Sequence, residues 1–176
     1  NTPRAKIDCN ENESERMTNT DVLEFTIKPA RGLIIKSQNS YMVYQRHDYQ
    51  FWPSYLPKNT EGEGADAYRY EGDARLLTSE NTISYSKKFA SGHYFDAMAG
   101  FSATHETAIF FSLKAEGLLT DDLKWNNMNG IGSKENYSAS TSSNKVVRES
   151  VLMRLNYNYK SRYYFTFTGR YDGSSN

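Results

Sequence analysis

Chemistry, if this chain performs any, should begin at its three histidines and the carboxylates beside them. His47 and Asp48 are adjacent, so on a strand they point to opposite faces and cannot converge as an acid–base pair must. His93 and Asp96 flank Gly92 and read as turn or interface residues rather than metal ligands. His105 and Glu106 open a longer segment in which nothing marks a ligand set. No Ser/His/Asp or Cys/His arrangement can be assembled, and a hydrolase has no supporting constellation. The glycines of GEG, at Gly62 and Gly64, and of GIG, at Gly130 and Gly132, lack the strand before and helix after that a phosphate loop requires. They read as loop glycines. Asp121 and Asp122 supply neighbouring carboxylates of the kind a hard cation prefers, but the remaining EF-hand spacing is absent. Capping of a short helix by Thr120, Asp121 and Asp122 is the better expectation. Cys9 is the single cysteine, without an internal disulfide partner or a metal pattern, and is expected to be a free thiol. The expectation is a chain with no catalytic residue, no cofactor and no metal.

Aromatic residues in the polar stretches are the stronger candidates. Trp52, Tyr55, Tyr68, Tyr70 and Trp125 lie where a strand-embedded core does not call for them. Such rings can stack on sugars or anchor a partner protein. The plainer alternative, favoured for each, is an aromatic girdle at a membrane interface or packing of a loop on itself. Trp52 suits the girdle best because it directly ends a strand.

The elements that would position these rings follow from a period of two. In 151–160, Val151, Met153, Leu155, Tyr157 and Tyr159 alternate with Leu152, Arg154, Asn156, Asn158 and Lys160. After Ser161 and Arg162, the alternation resumes with Tyr163, Phe165, Phe167, Gly169 and Tyr171 against Tyr164, Thr166, Thr168, Arg170 and Asp172. This predicts two strands joined by a tight turn, each with an apolar and a polar face. About ten residues per strand is the length of a tilted strand crossing a bilayer. Leu155, Tyr157, Phe165 and Phe167 are expected to face outward, and Arg154, Asn156, Thr166 and Arg170 the opposite way.

Upstream, the same pattern predicts a strand from about Arg16 through Ile27, a turn at Pro29 to Gly32, and a second strand from Leu33 to Phe51 with a bulge near Ser37 and Asn39. Residues 54–77 read as a long loop. Strands over 81–89 and 95–104 flank a turn at Gly92, with Lys87 on the apolar parity, where it can snorkel. A second excursion covers 105–145, with a short helix over 105–117 and a mobile Ser-rich stretch over 133–144. Short and long connections alternate through the six strands, as the periplasmic turns and outer loops of bacterial barrels do. Six strands fall short of the roughly eight that close the smallest such barrel. The chain is therefore expected to be part of a longer protein.

Composition agrees. Lys plus Arg is 21 and Asp plus Glu is 21, without the basic excess of a nucleic-acid binder. Aromatics reach 14%, which suits β-structure. No run approaches the roughly 18 apolar residues of a membrane helix, but a barrel strand shows only half its residues to lipid. The opening residues NTPRAKIDCNENESER lack the blocks of a signal peptide.

The C-terminal hairpin LNYNYKSRYYFTFTGRYDGSSN resembles a segment of SusC/RagA-type TonB-dependent transporters, in which a strand ending "NYNYKD-Y" turns into one ending "RADGSS". Tyr171 stands where that family more often has Ala. NTISYSKKFASGHYFDAMAGFSATHE, LLTDDLKWNN and FTIKPARGLIIKSQNSY are similar to further family segments in the same order, so the resemblance covers about 19–176. It implies an all-β, antiparallel up-and-down meander of about six strands in three hairpins with long outer loops, part of a transmembrane β-barrel over 1–176 that lacks the plug. The whole protein would be an outer-membrane barrel of about 22 strands. By the same resemblance it would import glycans or peptides with TonB and a SusD-like surface lipoprotein as partners. The competing reading from the residues is a soluble β-sandwich carbohydrate-binding module, whose apolar faces would meet in a dry core.

Overall fold

The computed structural model describes residues 10–55, 64–129 and 136–175. Six strands account for nearly all of them: β1 (Glu11–Ala30), β2 (Leu33–Trp52), β3 (Ala65–Lys88), β4 (His93–Leu118), β5 (Tyr137–Tyr159) and β6 (Tyr163–Ser175). They form one antiparallel sheet in the order β1-β2-β3-β4-β5-β6, so every strand pairs only with its neighbours in sequence. This is the meander that the family resemblance implies. A sandwich would need a second sheet over the apolar faces, and the described strands make only one.

Three sequence expectations fail in the same direction. Residues 65–77 belong to β3 rather than to a loop, 105–117 continue β4 rather than forming a helix, and 137–144 open β5 rather than being mobile. The segment 105–117 carries Thr107, Ile109 and Phe111, β-branched and aromatic residues that suit a strand. Lys114 and Glu116 form an ion pair two positions apart, which requires the two-residue period. Pairing to β3 and β5 overrides the local helical signal. The strand β2 runs through the interrupted stretch near Ser37, where Asn39 Nδ2 donates to Ser37 Oγ at 3.2 Å.

The described residues cluster into two compact units. One, the long-loop unit, draws on Asn1–Thr18, Val43–Ala74 and Ala108–Asn144; the other, the hairpin-turn unit, draws on Asn19–Met42, Arg75–Thr107 and Lys145–Asn176.

The hairpin-turn unit holds the three short connections. Gly32 has φ +80, and a Cβ there would lie 2.0 Å from the carbonyl oxygen of Ser86, so only glycine fits this turn. In the β5–β6 connection, Lys160 and Ser161 have φ of 48° and 55°, and Arg162 N donates to Tyr159 O at 3.0 Å. Two left-handed residues closed by such a bond match the twist of the flanking strands. Asn158 Oδ1 accepts from Ser161 N at 2.8 Å and reinforces the turn.

Register places the two faces. Val151 pairs with Tyr171, Leu155 with Phe167, Tyr157 with Phe165 and Tyr159 with Tyr163, whereas Arg154 pairs with Thr168 and Asn156 with Thr166. The apolar parity is exposed along β6, with Phe165 at 58% and Phe167 at 49%, and half-buried at Leu155, Tyr157 and Tyr159 of β5. The polar parity is hydrogen-bonded: Asn156 Nδ2 donates to Asp96 Oδ1 at 3.0 Å, and Thr166 Oγ1 donates to Asn156 Oδ1 at 3.1 Å. Further along this face, Asp172 accepts from the hydroxyl of Ser150 and pairs with Arg170 at 2.8 Å. Ordered polar contacts on one side and bare hydrophobics on the other invert the arrangement of a soluble sheet.

Candidate functional site

The long-loop unit has a conventional dry core. Phe51, Ala65, Ala67, Ala115, Leu118 and Met128 are buried together, and Leu113, Trp125 and Tyr137 pack against them. Alternation along β2 therefore sends Phe51, Tyr49 and His47 to the packed side and Gln50, Asp48 and Arg46 to the other.

That other side carries a cluster built from four strands. Arg46 Nη2 pairs with Asp48 Oδ2 at 2.5 Å, and Ser14 Oγ donates to Asp48 Oδ1 at 2.7 Å. The Arg46 guanidinium also lies 5.3 Å from the centre of the Tyr70 ring, a cation–π distance. Tyr70 in turn stacks near Phe110, with ring centres 6.2 Å apart. Arg46 Nε is buried without a hydrogen-bond partner among the described residues. Arg46 and Asp48 were not singled out as a site in the sequence. Their spacing of two on a strand, which puts opposite charges on one face, is the signal that would have found them.

The five aromatic candidates divide. Tyr68 and Tyr70 stand on β3 rather than in a loop, and Trp52 is the last residue of β2, all three on the parity of the Arg46 cluster. Tyr55 lies in the turn just after β2 and is 69% exposed. Trp125 sits in a short 3-10 turn (Lys124–Asn126) and stacks on Tyr49 of the packed side, with centres 5.8 Å apart and planes at 11°. The Arg69 guanidinium lies 5.4 Å from the centre of the Tyr49 ring, so Trp125 and Arg69 both contact Tyr49.

Trp125 thereby ties down the connection after β4. Asp121 adds a second tie, accepting from the backbone N and the hydroxyl of Ser54 at 3.0 Å each. Lys124 pairs with Glu11, and the Tyr137 hydroxyl donates to the carbonyl of Met128. The expected helix cap does not form: the 3-10 turn has no side-chain cap. Thr120 instead closes a local turn with Asp122, accepting from its backbone N at 3.2 Å.

The histidines are structural neighbours of rings and carboxylates. His47 Nδ1 is 3.8 Å from Glu15, on the face opposite Asp48. His93 Nδ1 and the Tyr157 hydroxyl are 2.7 Å apart, and the His93 ring lies 4.5 Å from that of Tyr159. Glu106 pairs with Arg148 at 3.1 Å. Among the described residues, no three His, Cys, Asp or Glu side chains gather as metal ligands. Cys9, Gly62, Gly130 and Gly132 lie outside the described residues.

No family model matches the chain. Among curated proteins it is similar to three TonB-dependent receptors of Formosa agariphila. It is 29% identical to receptor P26 over 174 residues, covering 98% of this chain and 18% of the relative. To receptor P3 it is 33% identical over 145 residues, covering 82% of this chain and 14% of the relative. Receptor P39 is 26% identical over 180 residues, covering 99% of this chain and 17% of the relative. The chain thus spans less than a fifth of the length of each. Among solved structures, it superposes on a chain of the RagAB peptide transporter with a TM-score of 0.85 at 17% identity, covering 95% of this chain and 18% of that one. The RagAB peptide importer in its "closed-closed" state gives the same TM-score at 18% identity, over 96% of this chain and 18% of that one.

Proposed function

We propose that this chain is a stretch of β-barrel from a TonB-dependent receptor of the SusC/RagA type and serves as wall and outer rim of an outer-membrane nutrient importer. The carrying observation is the pairing of a sequential six-strand order with a bare apolar face and a hydrogen-bonded polar face. Lipid is the solvent that makes such a face favourable, and a watery lumen is the place for Arg154, Arg170 and Asp172.

In this reading the short turns face the periplasm and the long connections face the cell exterior. The work is binding and passage, without bond chemistry. The cargo is an oligosaccharide or a peptide, taken up with energy from TonB through parts of the protein outside this chain. A SusD-like surface lipoprotein covers the outer loops. Trp52, Tyr68 and Tyr70, with Arg46 and Asp48, form the cargo-side contact surface of the rim, to which Tyr55 adds an exposed ring. Trp125 meets cargo or partner only at its outer edge, because its face is stacked on Tyr49.

The test is fractionation of cells producing the complete parent protein. An outer-membrane product that migrates as a compact band until boiled supports the barrel reading. A soluble product overturns it. Uptake of labelled oligosaccharides and peptides by cells with and without the gene then separates the two cargo classes.

A further inference from the structure

The hairpin-turn unit concentrates positive charge. Residues 27–34, 86–95 and 156–165, which contain its three short turns, hold Lys28, Arg31, Lys87, Lys88, Lys160 and Arg162 and not one Asp or Glu. Yet the whole chain is balanced at 21 against 21. Among the described residues, none of the six forms an ion pair with a carboxylate.

Two of these cations border a continuous belt of rings. Lys87 Nζ lies 4.9 Å from the centre of the Phe89 ring, and Lys160 Nζ lies 5.2 Å from that of Tyr159. Between them run Phe89 to Phe95 at 6.5 Å, Phe95 to Tyr157 at 4.8 Å, and His93 against both Tyr157 and Tyr159. The belt stands at the head of a trough on the apolar face. Along its middle strand, β4, lie Ala97, Met98 and Ala99, while Ile83 and Tyr85 rise on one side and Met153, Arg154, Leu155 and Phe167 on the other. The trough measures about 400 Å³ and is almost wholly apolar.

We infer that this trough seats one acyl chain of an anionic glycerophospholipid, with its headgroup at the rim that carries Lys87 and Lys160. The inference rests on the barrel reading, which turns the apolar face to lipid and the short turns to the periplasmic leaflet. Charge selects the lipid. A zwitterionic headgroup brings its own cation to a rim that has no carboxylate to meet it, whereas an anionic headgroup neutralises the rim. The aromatic belt marks the depth at which a headgroup gives way to chains. Lysine stems lying along rings can extend to that depth.

The experiment uses the complete parent protein extracted in mild detergent, titrated with dioleoylphosphatidylglycerol or dioleoylphosphatidylcholine and read by native mass spectrometry. The expected result is a single tight site that prefers phosphatidylglycerol by about thirtyfold, from two lysines at an anionic headgroup. The K87Q/K160Q double variant should lose that preference and keep its heat-modifiable band. A97L/A99L, which fills the trough, should weaken binding of both lipids. Equal binding of the two lipids by the unaltered protein overturns the inference, and this readout needs no variant to fold. Unchanged preference in K87Q/K160Q, or unchanged binding in A97L/A99L, also overturns it. Tighter binding of lipid A overturns the assignment to the periplasmic leaflet. Each of these failures leaves the heat-modifiable outer-membrane band in place, so loss of the barrel reading itself is seen separately.

Discussion

At the scale of single residues, the unit with the long connections is held by a few side chains with definite partners. Trp125 is the clearest case, because its ring lies parallel to Tyr49 while Arg69 also contacts Tyr49. An aromatic pair of this kind contributes about 0.5–1.5 kcal/mol beyond its buried area. Trp125→Ala should therefore release the connection around Asp121 to Met128 without unfolding the sheet. Hydrogen exchange of those amides should accelerate roughly tenfold, the upper end of that range. Leu119→Ser, at a position 80% exposed, should leave the exchange rates as they are. If both variants behaved alike, Trp125 would not be the anchor. Ser161 offers the opposite test. It holds φ at 55° in a two-residue left-handed turn, a conformation that costs a residue with a Cβ about 1 kcal/mol. Ser161→Gly should stabilise the hairpin by about that amount, seen as a higher denaturant midpoint.

At the scale of elements, the decisive property is which face of each strand meets which solvent. Phe167 pairs with Leu155 on the bare face, and Thr168 pairs with Arg154 on the hydrogen-bonded face. Neighbouring positions should therefore respond very differently to the same charge. Phe167→Arg should cost about 2–4 kcal/mol in a bilayer, the range for arginine near the midplane of a barrel's lipid face. Thr168→Arg should cost much less, limited to repulsion from Arg154 across a watery surface. Folding yield of the complete protein into lipid vesicles measures both. Comparable losses would mean that the apolar face does not meet lipid. The elements also explain the three misread stretches. Residues 65–77 and 137–144 carry few large aliphatic residues, and in 105–117 the continuous run from Ala108 to Phe111 hides the alternation. In the long-loop unit the core is made by Ala65, Ala67 and Ala115, small residues that give little alternating signal.

At the scale of the whole molecule, a sheet with β1 and β6 at its two edges and one apolar face open has no stable existence alone in water. The 176-residue chain produced by itself should aggregate unless detergent or the remaining strands are supplied. A monodisperse, folded monomer in plain buffer would show that the apolar faces cover each other, and the barrel reading would fall. The hairpin-turn unit presents short turns, an aromatic belt and an uncovered face; the long-loop unit presents a buried core, anchored connections and the Arg46 cluster.

The alternation of apolar and polar residues was enough to mark hairpins of strands and the two faces of β5 and β6, since a period of two puts Leu155, Tyr157, Phe165 and Phe167 on one side, whereas the order of the six strands was decided by pairing in the folded sheet. Turn residues such as Gly32 and Gly92 set where the short connections fall. How far each strand extends was settled only on folding, because pairing to a neighbouring strand supplies hydrogen bonds that local propensity cannot foresee. Folding also decided which neighbours the aromatic candidates meet. Tyr70 meets Arg46 and Phe110, and Trp125 meets Tyr49, across strands distant in sequence. Those contacts depend on register between elements, and register is a property of the assembled sheet.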